Sequence, residues 1–562
     1  MNFARFRPLL VATSAVLLAL SAQPLLAAEA AEGVAEIQAP PAPKFDITEF
    51  KVEGNTLLPA DEISAIVQAH TGKGKDFGDV QQTLEALQDA YISRGYNAVR
   101  VTLPEQELEQ GIISLKVIEQ KISSIKVEGN KVYSTENALS AVPSLKEGET
   151  PNINKISSGL KIANENPTKQ TAVLFTDSET KENTVEALVK VIDEKPWKAF
   201  VTLDNTGSRE SGHGRLSFGY QNFNMFGKDQ RLTAQYITTP HYPQHIFDAD
   251  HDVQIVALAY TIPLYSLGYT GAAAGDSIDL VGSYSNTTSS SPTNIPVGLL
   301  GQISGKGLVL GLHYNHQLPK LKDYEQKISF TFDNRDTRAT DASAFGPLSP
   351  AISTTPLGLT YSSVWAPEGQ QLSLNTSAVV NWAGFDKHGR HADFVAFSAD
   401  HDFTKFNLNL DYLRQLPMEW QMHAAFNLQL TDDHLVAIEQ FRAGGADTVR
   451  GFHESAAAAD KGFRATLEAI TPDVGKKIGE NFSLRGVLFM DRAYLSNNDD
   501  TTGTNDETRL SIGSVGAGLR LSYGKHFAGR VDLANVISGD KDAGGTQASG
   551  DKYVHASFGY TW

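Results

Sequence analysis

The sequence predicts a chain in two parts: two small α+β modules of order β-α-α-β-β, then an antiparallel transmembrane β-barrel of roughly 16 strands. Three observations predict it. The pentapeptide Lys-Val-Glu-Gly-Asn occurs twice, as Lys51, Val52, Glu53, Gly54, Asn55 and as Lys126, Val127, Glu128, Gly129, Asn130. From Trp197 onward, segments of alternating apolar and polar residues recur between stretches rich in Gly, Asn, Asp and Ser. The last ten residues alternate strictly and end on an aromatic.

The N-terminus has the pattern of a secretory signal. Arg5 and Arg7 form a basic start, Leu9 to Leu20 is largely apolar, and Ala28-Glu29-Ala30 offers a cleavage site. The apolar run is shorter than the ~20 residues a membrane helix needs. Residues 1–30 are therefore expected to be removed. Residues 31–45, with Pro40, Pro41 and Pro43, form a short stiff lead-in. No later stretch is apolar over 18 residues, so crossing a membrane falls to strands, which hydropathy does not detect. A formal net charge of −17, from 48 Lys+Arg against 65 Asp+Glu, speaks against a nucleic-acid partner. The absence of cysteine excludes disulfides, thiol catalysis and thiolate metal sites.

The first module spans 46–119. A strand carries the first pentapeptide. Pro59 with Asp61 and Glu62 opens a helix. Val80, Leu84, Leu87 and Tyr91 mark one face of a second helix, with Asp79 as N-cap and Gly95 as stop. Val99, Val101, Leu103 and then Ile113, Leu115, Val117 alternate as two strands. The second module, 120–194, repeats the order. Ile122 precedes its pentapeptide at the offset at which Ile47 precedes the first. Ile153, Ile156, Leu160 and Ala163 mark a helix, and Ala172, Leu174 and Val185 to Val191 mark strands.

The barrel is assigned to 197–562, a length that holds roughly 16 strands at ~10 residues each plus turns. Predicted strands include Arg215–Gln221, Arg231–Ile237, Val253–Tyr260, Ile278–Ser285, Lys327–Phe332, Gln371–Asn381 and Asn407–Tyr412. In the last strand Trp562, Tyr560, Phe558, Ala556 and Val554 share the lipid face, and Thr561, Gly559, Ser557, His555 and Tyr553 the lumen face. A soluble sheet ending on such an aromatic edge would aggregate in water. Phe558, Tyr560 and Trp562 resemble the C-terminal signal read by the outer-membrane insertion machinery.

The most specific stretch is Glu439-Gln-Phe-Arg-Ala-Gly-Gly-Ala-Asp-Thr-Val-Arg-Gly-Phe452. It resembles the Val-Arg-Gly-Phe/Tyr motif of POTRA-barrel outer-membrane proteins, and its Glu-Gln-Phe and paired glycines resemble two-partner secretion transporters (TpsB) of the haemolysin secretion/activation type. Leu160-Lys-Ile-Ala-Asn-Glu-Asn-Pro167 and Leu203-Asp-Asn-Thr-Gly207 look like that family too. The resemblance implies that the two modules are periplasmic POTRA domains and that residues 439–465 form a loop folded into the lumen. It implies that Val449, Arg450, Gly451 and Phe452 form the loop motif. It also implies that Arg450 pairs with a barrel-wall aspartate, here Asp491, with Asp447 and Asp473 as competitors. Ala493 stands where the family pattern has a glycine.

The implied function is an outer-membrane pore that secretes a large exoprotein of haemolysin or adhesin type, recognised by its N-terminal secretion domain. The resemblance also implies contact with outer-membrane lipids. Periplasmic chaperones and the barrel-assembly machinery would act during biogenesis. Two alternatives stay open: a barrel-assembly or insertase factor of the same superfamily, and a passive porin or barrel enzyme. The two modules argue against a plain pore. The short lead-in leads us to expect no plug helix and a lumen obstructed mainly by the loop.

No cofactor, metal site or catalytic residue is assigned. His241, His245, Asp248, Asp250, His251 and Asp252 lie in a Pro-containing loop with no helix to fix a ligand pair. His388, His391 and Asp393 are similar, and the acidic stretch 497–500 with Asp506 and Glu507 lacks an EF-hand pattern. There is no phosphate loop or nucleophile elbow.

Overall fold

The computed structural model of the chain describes residues 44–107, 111–207, 213–239, 253–268, 275–287, 293–294, 302–303, 306–338, 351–382, 394, 399–498, 509–539 and 547–562. The signal segment, most of the lead-in, the question of a plug helix, the 241–252 and 388–393 clusters, and most of the acidic stretch lie outside the described residues.

The first module comprises β1 (Phe45–Ile47), β2 (Glu49–Glu53), α1 (Ala60–Gln68), β3 (Gly72–Lys75), α2 (Phe77–Ser93), β4 (Val99–Thr102) and β5 (Ile112–Glu119). Its sheet has the order β2-β5-β4, with β2 parallel to β5. Alternation along β5 buries Ile113, Leu115 and Val117 against Val80, Leu87 and Tyr91 of α2. The pair β1–β3 is an addition to the predicted order; its Gly-Lys-Gly-Lys strand has no apolar alternation to announce it. The start of α2 also differs from expectation. Asp76 is the N-cap, and Asp79 is the third helical residue, whose side chain accepts from the Asp76 N–H. The two aspartates form a reciprocal capping box, so the helix begins a turn earlier than Asp79 suggested.

The second module comprises β6 (Lys121–Glu128), α3 (Thr135–Ser140), α4 (Ile153–Ala163), β7 (Lys169–Asp177) and β8 (Thr184–Asp193), with sheet order β6-β8-β7. Its first and last strands again run parallel.

The repeated pentapeptide is the exit of the first strand in each module. Gly54 and Gly129 hold φ of +88° and +90°, a region that L side chains rarely adopt. A Cβ at Gly54 would collide with the Val117 carbonyl oxygen, and one at Gly129 with that of Val191. The next residues turn the chain alike. Asn55 Nδ2 donates to Leu58 O at 3.0 Å, and Asn130 Nδ2 to Tyr133 O at 2.9 Å. A carboxylate at the end of the last strand then receives the turn's N–H groups: Glu119 from Thr56 and Leu57, Asp193 from Lys131, Val132 and Tyr133. Burial works against ionisation of Asp193, but these three donors hold its carboxyl below the ordinary range. We expect Gly54→Ala and Gly129→Ala each to destabilise its own module by at least about 2 kcal/mol. Amide exchange on the full chain would show faster opening confined to that module; unchanged exchange would contradict the constraint.

The barrel strands are β9 (Trp197–Asp204), β10 (Arg215–Met225), β11 (Gln230–Thr238), β12 (Val253–Pro263) and β13 (Ser277–Thr287). A small pair outside the wall, β14 (Thr293–Asn294) and β15 (Gln302–Ile303), follows. The wall continues with β16 (Lys306–Gln317), β17 (Tyr324–Arg338), β18 (Ile352–Thr354), β19 (Pro356–Trp365), β20 (Gln370–Asn381), β21 (Phe403–Gln415) and β22 (Gln421–Leu430). An inner pair, β23 (Phe441–Ala443) and β24 (Ala457–Ala459), precedes β25 (Lys461–Ile470), β26 (Phe482–Ser496), β27 (Arg509–Tyr523), β28 (Phe527–Ser538) and β29 (Lys552–Thr561).

The wall closes, with β29 antiparallel to β9. Since β18 and β19 both pair with β17 and are interrupted only at Thr355, they count as one, which makes a 16-stranded antiparallel barrel. At the seam Asn205 extends the ladder with its side chain: Nδ2 donates to Val554 O at 2.7 Å and Oδ1 accepts from Ala556 N at 2.8 Å.

Alternation sorts the two faces. Leu310 and Leu312 of β16 are half exposed on the outside, while His313 and Asn315 are buried. Val554, Phe558, Tyr560 and Trp562 are exposed, and His555 is buried on the opposite face. Among the described residues, no helix is long and apolar enough to cross a membrane.

Module two is fixed to the barrel by a buried polar joint. Lys169, at the start of β7, is 1 % exposed. Its Nζ pairs with Asp229, in the β10–β11 turn, and donates to Asn137 Oδ1 at 2.8 Å. Tyr265 Oη donates to Asp229 Oδ2 at 2.8 Å, Asn137 Nδ2 to Gly227 O at 2.9 Å, and Asn166 Nδ2 to Phe223 O at 3.0 Å. Nearby, Lys161 Nζ donates to Leu318 O and Gln326 O, each at 3.2 Å, beside the β16–β17 turn.

Candidate functional site

The segment between β22 and β25 enters the lumen instead of standing outside it. The expected loop 439–465 is shorter at its far end, because Lys461 already begins β25. The alternation of Arg464, Thr466 and Glu468 places these polar residues in a wall strand, and that pattern outweighs loop composition.

Within the loop, Arg450 is 3 % exposed and lies against the inner wall. Its Nε donates to Asp491 Oδ2 at 2.7 Å and its Nη2 to Asp491 Oδ1 at 2.8 Å. The Arg450 backbone N–H reaches the same carboxylate at 3.0 Å. Nη1 donates to Glu468 Oε1 at 2.6 Å, and the guanidinium lies 3.5 Å from the centroid of the Phe489 ring. The planar fork meets one carboxylate with two bonds and a second with one, over an aromatic face. Asp491 and Phe489 come from β26, where alternation turns both inward; Glu468 comes from the neighbouring β25.

The competitors are otherwise engaged. Asp447 pairs with Arg530 at 2.6 Å, and Asp473 accepts from Gly475 N and Leu484 N in the β25–β26 turn. The flanking residues are seated as well. Val449 and Phe452 are fully buried with Ala443, Ala457, Ala493, Leu495, Ile512 and Val536. Ala493 thus fills part of the pocket that receives Phe452. Gly451 has φ +96°, and its N–H donates to His555 Nε2 at 3.0 Å.

Glu468, His423, Arg335, Lys405 and Thr354 were not singled out from the sequence, whereas Glu439 heads the quoted motif stretch. Glu468 is held from behind by His423 (Nδ1 at 3.0 Å), which also meets Asp411 (Nε2 at 2.8 Å). Glu439 is fully buried, with Arg335 Nη1 at 3.0 Å, Lys405 Nζ at 2.8 Å and Thr354 Oγ1 at 2.9 Å. The signal available was a charged residue on the polar face of an otherwise alternating strand, which fits Glu468, Lys405 and Arg335. Among the described residues, no group of three or more His, Asp or Glu is placed to hold a metal ion.

The site holds a loop across a polar lumen through hydrogen bonds and ion pairs to wall side chains. Beside it a cavity of about 720 Å³ is lined by Asn375, Asn409, Asn427, Glu468 and Arg520, among others.

A 16-stranded barrel behind POTRA-type modules, with a Val-Arg-Gly-Phe loop seated inside, defines an outer-membrane POTRA-barrel protein. The model of the haemolysin secretion/activation protein ShlB/FhaC/HecB family matches residues 186–521, and that of the ShlB-type POTRA domain matches 45–120. The chain belongs to this haemolysin secretion/activation family of two-partner secretion transporters. It is an outer-membrane pore for a partner exoprotein, with its POTRA domains in the periplasm.

Among its relatives, the heme/hemopexin transporter protein HuxB of Haemophilus influenzae is 20 % identical over 533 residues, covering 89 % of this chain and 86 % of HuxB. The outer membrane transporter CdiB of Escherichia coli is 23 % identical over 500 residues, covering 86 % and 80 %. The fold matches the solved structure of CdiB from Escherichia coli with a TM-score of 0.70 at 19 % identity, covering 95 % of this chain and 93 % of that one. CdiB from Acinetobacter baumannii matches at 0.65 and 13 % identity, covering 93 % and 91 %.

Proposed function

We propose that this chain exports one large exoprotein of haemolysin or adhesin type, which it recognises through the partner's N-terminal secretion domain. The observation that carries this reading is a lumen crossed by a loop that wall side chains hold, above modules whose sheets end in strands paired on one side. In the order β2-β5-β4, β2 and β4 are edges; in β6-β8-β7, β6 and β7 are. An unfolded partner adds a strand to one of these edges, where main-chain bonds supply affinity and side-chain pockets supply selectivity. The loop bearing Val449, Arg450, Gly451 and Phe452 then leaves Asp491 and the chain passes. Folding of the partner outside supplies direction, since the periplasm offers no nucleotide.

The reading contains no catalytic step, cofactor or metal, because passage breaks no bond. Phe558, Tyr560 and Trp562 face the lipid and serve as the insertion signal during biogenesis. That stage involves periplasmic chaperones and the barrel-assembly machinery.

Deletion of the gene in its host tests the reading. One large protein is expected to vanish from the medium and return on complementation, with other outer-membrane barrels at normal levels. General depletion of those barrels would instead assign the chain to barrel assembly.

A further inference from the structure

Two ionic clusters, around Arg450 and around Glu439, hold the loop to the wall, and between them Arg530 of β28 bonds Asp447 and the Ala446 oxygen and Arg464 of β25 the Arg442 oxygen. Arg450 holds it to β25 and β26, with His555 of β29 bonded to the next residue. Glu439, earlier in the same loop, reaches a different stretch of wall: Arg335 on β17, Thr354 on β18 and Lys405 on β21. Between β17 and β26 the wall runs through β19, β20, β21, β22 and β25. The two carboxylate–cation clusters therefore use different wall strands, β17, β18 and β21 for Glu439 and β25 and β26 for Arg450.

The Glu439 attachment is built as a unit. Its carboxylate side chain is fully buried between two cations. Lys405 Nζ also donates to the Glu439 main-chain oxygen at 3.0 Å, and Gln429 Nε2 to the same oxygen at 3.1 Å. Arg335 is steadied from its other side by Asp333 at 3.0 Å, which His313 meets at 2.8 Å. Without the carboxylate, the buried Lys405 ammonium and the Arg335 guanidinium would lose their shared anion, and repulsion would replace attraction.

We propose that Glu439 is a second positioning residue of the inward loop, acting through Arg335 and Lys405 as a clasp that must open, independently of Arg450, before the lumen is clear. Freeing Arg450 alone leaves the descending limb fixed at Glu439. The stretch between the two residues also keeps its bonds to Arg464 and Arg530, which further limit how far the motif moves. The clasp rests on the reading of this loop as the lumen's obstruction, not on the identity of any secreted partner.

The test uses the purified full chain in planar lipid bilayers, with potassium chloride as the permeant probe. Glu439→Gln and Arg450→Ala are each expected to open the pore intermittently. Together they are expected to give a sustained conductance at least severalfold above either alone. Exchanging the charges, Glu439→Lys with Lys405→Glu, is expected to return the pore towards the quiet state of the unaltered protein, which a merely space-filling role would not do. Folding of each variant is read from heat-modifiable migration on gels. Should Glu439→Gln fail to fold, Arg335→Met with Lys405→Met removes the clasp from the wall side and is measured in the same way. A double variant no more conductive than Arg450→Ala would overturn the proposal. Because no exoprotein is present, failure here is distinct from failure of the secretion reading.

Discussion

Replacing Arg450 by alanine is expected to lower export at least tenfold while the barrel remains folded and inserted. Asp491 is fully buried, and Arg450 supplies two side-chain donors to it. Removing one member of a buried ion pair costs about 3–5 kcal/mol, because the other charge stays desolvated and unpaired. At ~1.4 kcal/mol per tenfold, the seated position of the loop loses roughly a hundredfold or more in population. The wall does not depend on the loop for its ladder, since β25 to β29 are paired with one another throughout. Arg450→Lys should also fall short, because an ammonium cannot reproduce the planar fork or its stacking on Phe489. The readouts are exoprotein in the medium and heat-modifiable barrel in the outer membrane. Undiminished export by Arg450→Ala would remove the motif from the mechanism.

The second large effect is expected at the joint between module two and the barrel. Lys169→Met should loosen the module, exposing the connection at 194–196 to protease and reducing export. Burial drives the Lys169 ammonium below its ordinary range, and the Asp229 carboxylate opposes that fall. Removing the lysine leaves Asp229 buried with Tyr265 as its remaining side-chain donor, again a loss of about 3–5 kcal/mol. Lys169→Met combined with Asp229→Asn removes both charges and should recover part of the loss, because asparagine tolerates the φ of +55° there and still accepts from Tyr265. A single variant as protease-resistant as the parent would show that the pair contributes little to docking.

The sequence and the structure agree where the physics is local. The pentapeptide is legible because a left-handed glycine and a turn-forming amide recur in both copies. The barrel strands are legible because lipid and lumen impose a period of two. Asp491 is harder: the family resemblance nominates it, whereas spacing alone leaves Asp447 and Asp473 open. The Glu439 clasp was not legible, since its partners lie 104 and 34 positions away, and no periodicity links a loop carboxylate to a particular wall cation. Lys169 escaped for the same reason. The misplaced helix start at Asp79 has a different cause: two aspartates three apart both suit a cap, and only the reciprocal bond shows which is outermost.

The joint at Lys169 bears on how a chain approaches the pore. The bonds described between module two and the rim fall on the β10–β11 and β16–β17 sides. The vestibule is therefore lopsided, a threshold with a doorpost along one arc. A polypeptide guided along the module, as proposed, would arrive off-centre, on the side of β17, the strand that carries Arg335.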